Sequence, residues 1–186
     1  PLGTFLSGGL DSSLISSVVS EYYKEKGERM HTFSVDYEDN DKFFRSNRFQ
    51  PESDAAYVDR MVSYLDSKHH RLVINTDDLV SALYKAVDAR DLPGMADVDS
   101  SMLLLCSAIS ENVTVALSGE CADEVFGGYP WYRDKTIRMT DGFPWAQSTA
   151  YRFSFLKDEF ASQINAEEYV YSRYEETVSN TAKYNG

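Results

Sequence analysis

Residues 2–13 read Leu2-Gly3-Thr4-Phe5-Leu6-Ser7-Gly8-Gly9-Leu10-Asp11-Ser12-Ser13, a short apolar run that breaks into glycines and serines before a helical pattern. Residues 2–6 predict a strand, and Leu14, Ile15, Val18, Val19 and Tyr22 recur at helical spacing until Gly27 ends the helix. Strand, glycine turn and helix make the first half of a βαβ unit, and the pattern repeats. Residues 31–35 predict a second strand and residues 54–66 a helix with Ala55, Val58, Met61, Val62 and Leu65 on one face. Residues 70–74 predict a third strand, residues 77–89 and 101–110 two helices, and residues 113–117 a fourth strand. That last run is continuously apolar, as in strands buried on both sides of a parallel sheet. The fold class is therefore α/β, a doubly wound parallel sheet. Residues 37–52 hold no sustained period and carry Pro51, so they read as a long loop, mobile or acting as a lid. Beyond Gly128 the pattern turns aromatic and helical through Phe155, Leu156, Phe160 and Ile164. We assign residues 1–132 to the α/β domain and residues 133–186 to a helical C-terminal extension.

A chain of 186 residues, 42% hydrophobic, suits one globular domain with an appendage. Its net charge of −12 disfavours nucleic acid as a partner, and no basic stripe offsets it. The two cysteines, Cys106 and Cys121, suggest neither a disulfide framework nor a zinc site, which fits a reducing cytoplasm. No apolar run approaches the roughly 20 residues that cross a bilayer, and no signal peptide is recognisable, so no membrane role is expected. The chain opens at Pro1 almost directly on a strand, which suggests a piece of a larger polypeptide.

Two strand-to-loop transitions carry the chemistry. Gly8 and Gly9 let the backbone approach an anion, and Ser7, Ser12 and Ser13 offer hydroxyls where the next helix begins. Asp11 would repel a phosphate in that cradle unless a cation lies between them, and magnesium resolves the conflict. An Asp acting only as a helix N-cap is the plainer alternative. No G-K-[ST] follows, so this is not a Walker A loop; recognition of a departing pyrophosphate is more natural than cleavage at a γ-phosphate. The second transition runs Ser118-Gly119-Glu120-Cys121-Ala122-Asp123-Glu124-Val125-Phe126-Gly127-Gly128-Tyr129. Such charge runs are usually solvated, but this one follows a strand directly. If the segment is helical, Glu120 and Asp123 share a face with Glu124 adjacent, so one carboxylate can hold a metal and another accept a proton.

S-G-G-L-D-S-S followed by S-G-E-x-x-D-E-V-F-G-G-Y resembles the synthetase domain of glutamine-dependent asparagine synthetases, over Thr4 to about Tyr132. The first motif is similar to the PP-loop of N-type ATP pyrophosphatases; the second narrows the likeness to asparagine-synthetase-like proteins. The resemblance implies ATP and Mg2+, attack of the aspartate carboxylate on the α-phosphorus to give β-aspartyl-AMP, and amide formation with ammonia from glutamine. It implies that Leu6, Ser7, Gly8, Gly9, Asp11, Ser12, Val35, Ser118 and Gly119 bind the nucleotide, with Leu6, Val35, Ser118 and Gly119 around the adenosine. It further implies that Asp11 and Asp123 hold magnesium and that Glu120 is catalytic, taking a proton from the incoming ammonium. Asp97 lies in a loop comparable to one near that family's active site.

Cys121 and Ala122 stand where Gly and Ser are common in the family. The glutaminase domain and the downstream R-V-P-F-L-D-like segment are missing from the sequence, so the fragment alone is not expected to turn over. The alternatives are a PP-loop enzyme acting on another carboxylate or a tRNA base, and a non-catalytic ATP-binding scaffold. Oligomeric state is not readable, a homodimer being one option. His31, His69 and His70 read as structural histidines. Tyr129, Trp131 and Tyr132 read as core or interface aromatics rather than ligand stackers.

Overall fold

A computed structural model describes residues 1–46 and 52–184, which fall into two compact units, Pro1–Ala122 and Asp123–Gly186. The first unit runs β1 (Leu2–Phe5), α1 (Leu10–Glu25), β2 (His31–Tyr37), α2 (Asn40–Phe43), α3 (Ala55–Leu65), β3 (Lys68–Ile74), α4 (Thr76–Arg90), α5 (Ala96–Ser110) and β4 (Val115–Leu117). The strands pair in the order β3-β2-β1-β4, all parallel, with Gly3 beside both His31 and Ala116. The chain thus winds one way from β1 to β3 and then returns to the other side of β1. The expected α/β class and parallel sheet are what the structure has.

Alternation along the strands gives the sheet two different faces. On one, Phe33 of β2 is buried with Leu105 and Ile109 of α5 and with Val113, and Phe5, Val35, Leu72 and Ala116 pack against them. Each large side chain buried there stabilises by roughly 2 kcal/mol. The opposite face is lined by hydroxyls. Thr4 meets Ser16 of α1 at 2.7 Å, and Thr32 meets Ser67 at 2.8 Å, all four residues buried. Each such group would cost roughly 1–3 kcal/mol if left unpaired, so these pairs fix α1 and the turn from α3 to β3 against the sheet.

That polar face changes what the apolar pattern of α1 does. Its buried residues are Ser12, Ser16, Val19 and Ser20, whereas Leu14, Val18 and Tyr22 are exposed. Small serines let α1 lie close over Thr4, and the bulkier residues turn outward. In α3 the expected face holds: Val58 and Leu65 are buried, and Ala55, Met61 and Val62 are half-buried. α4 begins on an Asn75 cap that accepts from the Asp78 amide at 2.8 Å, with Asp77 and Asp78 in its first turn.

Three expectations are corrected. The fourth strand is shorter than residues 113–117 and lies at the sheet edge, with Val115 51% exposed and Leu117 39% exposed. Only its α5 side is covered within this unit, because an apolar run does not distinguish an edge strand from a central one. α5 starts at Ala96, which puts Asp97 in its first turn and not in a loop. The segment 37–52 contains the one-turn helix α2, and its residues 47–51 lie outside the described residues.

The second unit is built of short helices: α6 (Ala122–Phe126, which begins at the last residue of the first unit), α7 (Pro130–Arg133), α8 (Lys135–Arg138), a 3-10 turn Pro144–Ala146, α9 (Thr149–Phe153), α10 (Asp158–Ile164) and α11 (Ala166–Tyr184). Aromatic contacts hold part of it, with Tyr129 on Trp131 at 4.3 Å between centroids and Phe143 on Trp145 at 4.9 Å. Among the described residues no helix is long and apolar enough to cross a membrane.

Candidate functional site

Residues 6–9 make the turn between β1 and α1. Leu6 is buried, and its amide donates to the Phe33 carbonyl at 2.7 Å, extending the sheet one residue into the turn. Gly8 has φ +79°, a left-handed conformation, and a β-carbon there would stand 2.8 Å from the Tyr57 β-carbon and 3.0 Å from the Val58 nitrogen. The first turn of α3 therefore closes on the glycine loop, an approach only glycine permits. The N-cap of α1 is Gly9, with no side-chain cap, so Asp11 is the second helical residue and not the cap. Amides of the first turn are left facing outward beside a carboxylate.

β4 leads into the second loop, where the Glu120 amide donates to the Ser118 hydroxyl at 3.1 Å. Cys121 takes φ +69°, and α6 begins only at Ala122. This left-handed kink separates Glu120 from the helix, so the expected helical face shared by Glu120 and Asp123 does not form. Within the second unit, Gly128 donates its amide to the Asp123 carbonyl at 3.0 Å, and a β-carbon at Gly128 would overlap the Asp123 carboxylate. Glu124 accepts from the Tyr129 hydroxyl at 2.8 Å, which gives that acid a structural bond.

The two loops of the first unit meet. A β-carbon added to Gly119 would lie 3.1 Å from the Asp11 β-carbon and 3.1 Å from the Ser12 nitrogen. Leu6 to Asp11, Val35 and Ser118 to Glu120 all stand at or beyond the carboxyl ends of the neighbouring strands β2, β1 and β4. The winding reverses between β1 and β4, and ligands of open α/β sheets bind at such a reversal. Ser7, Gly9, Ser118 and Glu120 are exposed there, Asp11 and Gly119 are half-buried, and Ser12 and Leu6 are buried. The Val35 side chain packs on the α5-side core. Asp123 belongs to the second unit. The Tyr57 contact with Gly8 and the Thr4–Ser16 bond beneath α1 join residues far apart in sequence, and the paired glycines are the local signal that something approaches closely.

The histidines sit elsewhere, on β2 and β3. His69 holds the Thr32 hydroxyl with Nδ1 and the Ser34 hydroxyl with Nε2, each at 3.0 Å, and burial, assisted by Arg71, lowers its pKa. His31 Nδ1 and His70 Nε2 share a bond of 2.9 Å, and burial followed by His70 lowers the pKa of His31. These are satisfied structural side chains.

The family model described as Asparagine synthase matches residues 1–185. The chain belongs to the asparagine synthase family. It is 46% identical over 187 residues to a Bacillus subtilis glutamine-hydrolysing asparagine synthetase 3, covering 100% of this chain and 30% of that relative. It is 34% identical over 134 residues to the B. subtilis glutamine-hydrolysing asparagine synthetase 1, across 72% of this chain and 19% of that protein. The asparagine synthetase 2 of Oryza sativa subsp. japonica, also glutamine-hydrolysing, is 33% identical over 141 residues, across 71% of this chain and 22% of its own. The chain thus spans about 30% or less of these asparagine synthase relatives.

Proposed function

We propose that this chain is the ATP-cleaving part of a glutamine-dependent ligase that forms asparagine from aspartate. The observation that carries the reading is the contact of Gly119 with Asp11 and Ser12, which brings both sequence motifs to one crevice. ATP fits that crevice because the loop offers backbone amides and an uncapped helix N-terminus. Adenosine is held by the backbone of Leu6, Val35, Ser118 and Gly119, and the phosphates by the turn from Ser7 to Ser12.

Magnesium, when bound, neutralises charge on the pyrophosphate. Asp11, a carboxylate in the first turn of α1 beside the cradle's amides, would hold it, and Asp123 is the second carboxylate that the resemblance implies. An aspartate side-chain oxygen attacks the α-phosphorus, the bond to the bridging oxygen of the β-phosphate breaks, and pyrophosphate leaves. The nitrogen of ammonia then attacks the acyl carbon of β-aspartyl-AMP, and AMP departs with the acyl C–O electron pair. Glu120 takes the proton that the nitrogen sheds; its exposed position on the Ser118–Gly119 turn suits that task. Ammonia comes from glutamine hydrolysed elsewhere in the polypeptide.

Product analysis tests the reading. The parent polypeptide with ATP, aspartate and ammonium should yield AMP and pyrophosphate in step with asparagine. Formation of ADP and inorganic phosphate would contradict it.

A further inference from the structure

The two flanks of α1 have different neighbours. Lys24 Nζ lies 5.8 Å over the Tyr64 ring, so one flank packs toward α3. On the other, Val18, Val19 and Tyr22 stand with Leu2 of β1 and Lys26 around a cavity of about 550 Å3. The apolar floor of that cavity continues outward along β4. Leu2 pairs with Val115 and Thr4 with Leu117, so both β4 side chains share the sheet face on which Thr4 meets Ser16 of α1. Val115, Leu117, Val18 and Tyr22 are exposed, and Leu14 prolongs the ridge by a turn of the helix. α1 cannot slide across to cover them, because the Tyr23 hydroxyl donates to the Leu2 carbonyl at 2.9 Å and accepts from the Leu2 amide at 3.1 Å.

The geometry of the sheet states what kind of element fits there. Strands lie about 4.8 Å apart and a helix with its side chains is about 10 Å wide, so α1 set over β1 leaves a berth one helix wide over β4. The next crossover does not fill it. From β1 to β3 the chain crosses on the Thr4 side through α1 and α3, and it returns to β4 on the opposite side through α5. A right-handed step onward from β4 would again use the α5 side. The chain covers 30% of one B. subtilis relative and 19% of the other, so most of the length of such proteins lies outside the matched part.

We propose that this groove seats an amphipathic helix of the parent polypeptide from outside residues 1–186. The helix lies along α1 and sets apolar residues at i, i+3, i+4 and i+7 against Val18, Tyr22, Val115 and Leu117. It thereby braces α1, whose first turn carries Asp11, from its open flank. The inference stands on the sheet and on family membership, independently of the ATP reading.

The test uses the parent polypeptide. Tyr22 is 52% exposed in this chain, so a bare Tyr22 would be oxidised by hydroxyl radicals only about twofold more slowly than in the urea-unfolded protein, whereas beneath a helix about tenfold slowing or more is expected. Val18→p-benzoylphenylalanine then captures the neighbour on illumination, in a mixture of isotopically light and heavy protein. Glu25, exposed on α1, takes the same replacement if position 18 does not tolerate the bulk, and the oxidation reading needs no substitution. The expected result is a slowed Tyr22 and a cross-link to a peptide outside residues 1–186 of the same chain. Light-to-heavy cross-links would make the occupant a second copy and overturn the proposal. Capture within residues 123–186 would give the groove to the second unit of this chain and overturn it too. Tyr22 slowed only about twofold, or no capture from either position, would show a bare groove and overturn it as well.

Discussion

Gly119 approaches Asp11 so closely that a β-carbon on the glycine would stand 3.1 Å from the β-carbon of the aspartate. Both neighbours it would meet, Asp11 and the Ser12 amide, belong to the first turn of α1 and cannot swing aside as a long side chain would. Gly119→Ala should therefore push the two loops apart, weakening MgATP roughly tenfold or more while costing about 1–2 kcal/mol of stability. Titration of MgATP alongside thermal unfolding checks this, and unaltered affinity would show that the contact does not shape the site.

Asp11→Asn keeps the size of the side chain and removes its charge. MgATP binding should weaken about tenfold in magnesium, and binding measured with a chelator present should not fall. Equal affinity for wild type and variant with and without the metal would take Asp11 out of the metal site.

Cys121 holds φ +69°, a conformation that costs a residue with a β-carbon roughly 1–2 kcal/mol. Glycine relieves that cost, so Cys121→Gly should raise stability by about 1 kcal/mol. Urea unfolding measures the difference; a destabilised variant would mean that the thiol makes compensating contacts.

Acid should weaken the fold. Burial lowers the pKa of His69 and of His31 below the ordinary 6.5. Arg71 and His70 add to this at His69 while Asp59 opposes it, and His70, Lys68 and the N-terminal amine add to it at His31. The unfolded chain therefore binds these protons more readily than the folded one. Their contribution is complete above the unfolded pKa and is lost as pH falls through the lower, folded value. The urea midpoint should drop between about pH 7.5 and about pH 5.5, and His69→Gln should flatten that drop. A midpoint that holds or rises on acidification contradicts the account.

How far the sequence spoke depended on whether the signal was local. The order of strands and helices through α5 and the glycine turn could be read because apolar period and turn chemistry are local. Val58 and Leu65 of α3 lay where their spacing put them. Leu14, Val18 and Tyr22 did not, because a sheet face of Thr4 and Thr32 favours serines over bulk, and that face exists only once β1 and β2 pair. The edge position of β4 is likewise a property of the sheet. At the site, Asp11, Gly119 and Glu120 announced themselves through motifs, whereas the pressure of Tyr57 on Gly8 and the kink at Cys121 needed the folded backbone.

The central claim is activation of a carboxylate through its adenylate. The measurement that bears on it most directly is exchange of labelled pyrophosphate into ATP by the parent polypeptide, with and without aspartate and magnesium. The account predicts exchange that requires both. Exchange with a different carboxylic acid but not with aspartate would contradict asparagine formation, and no exchange with any acid would contradict adenylate chemistry altogether.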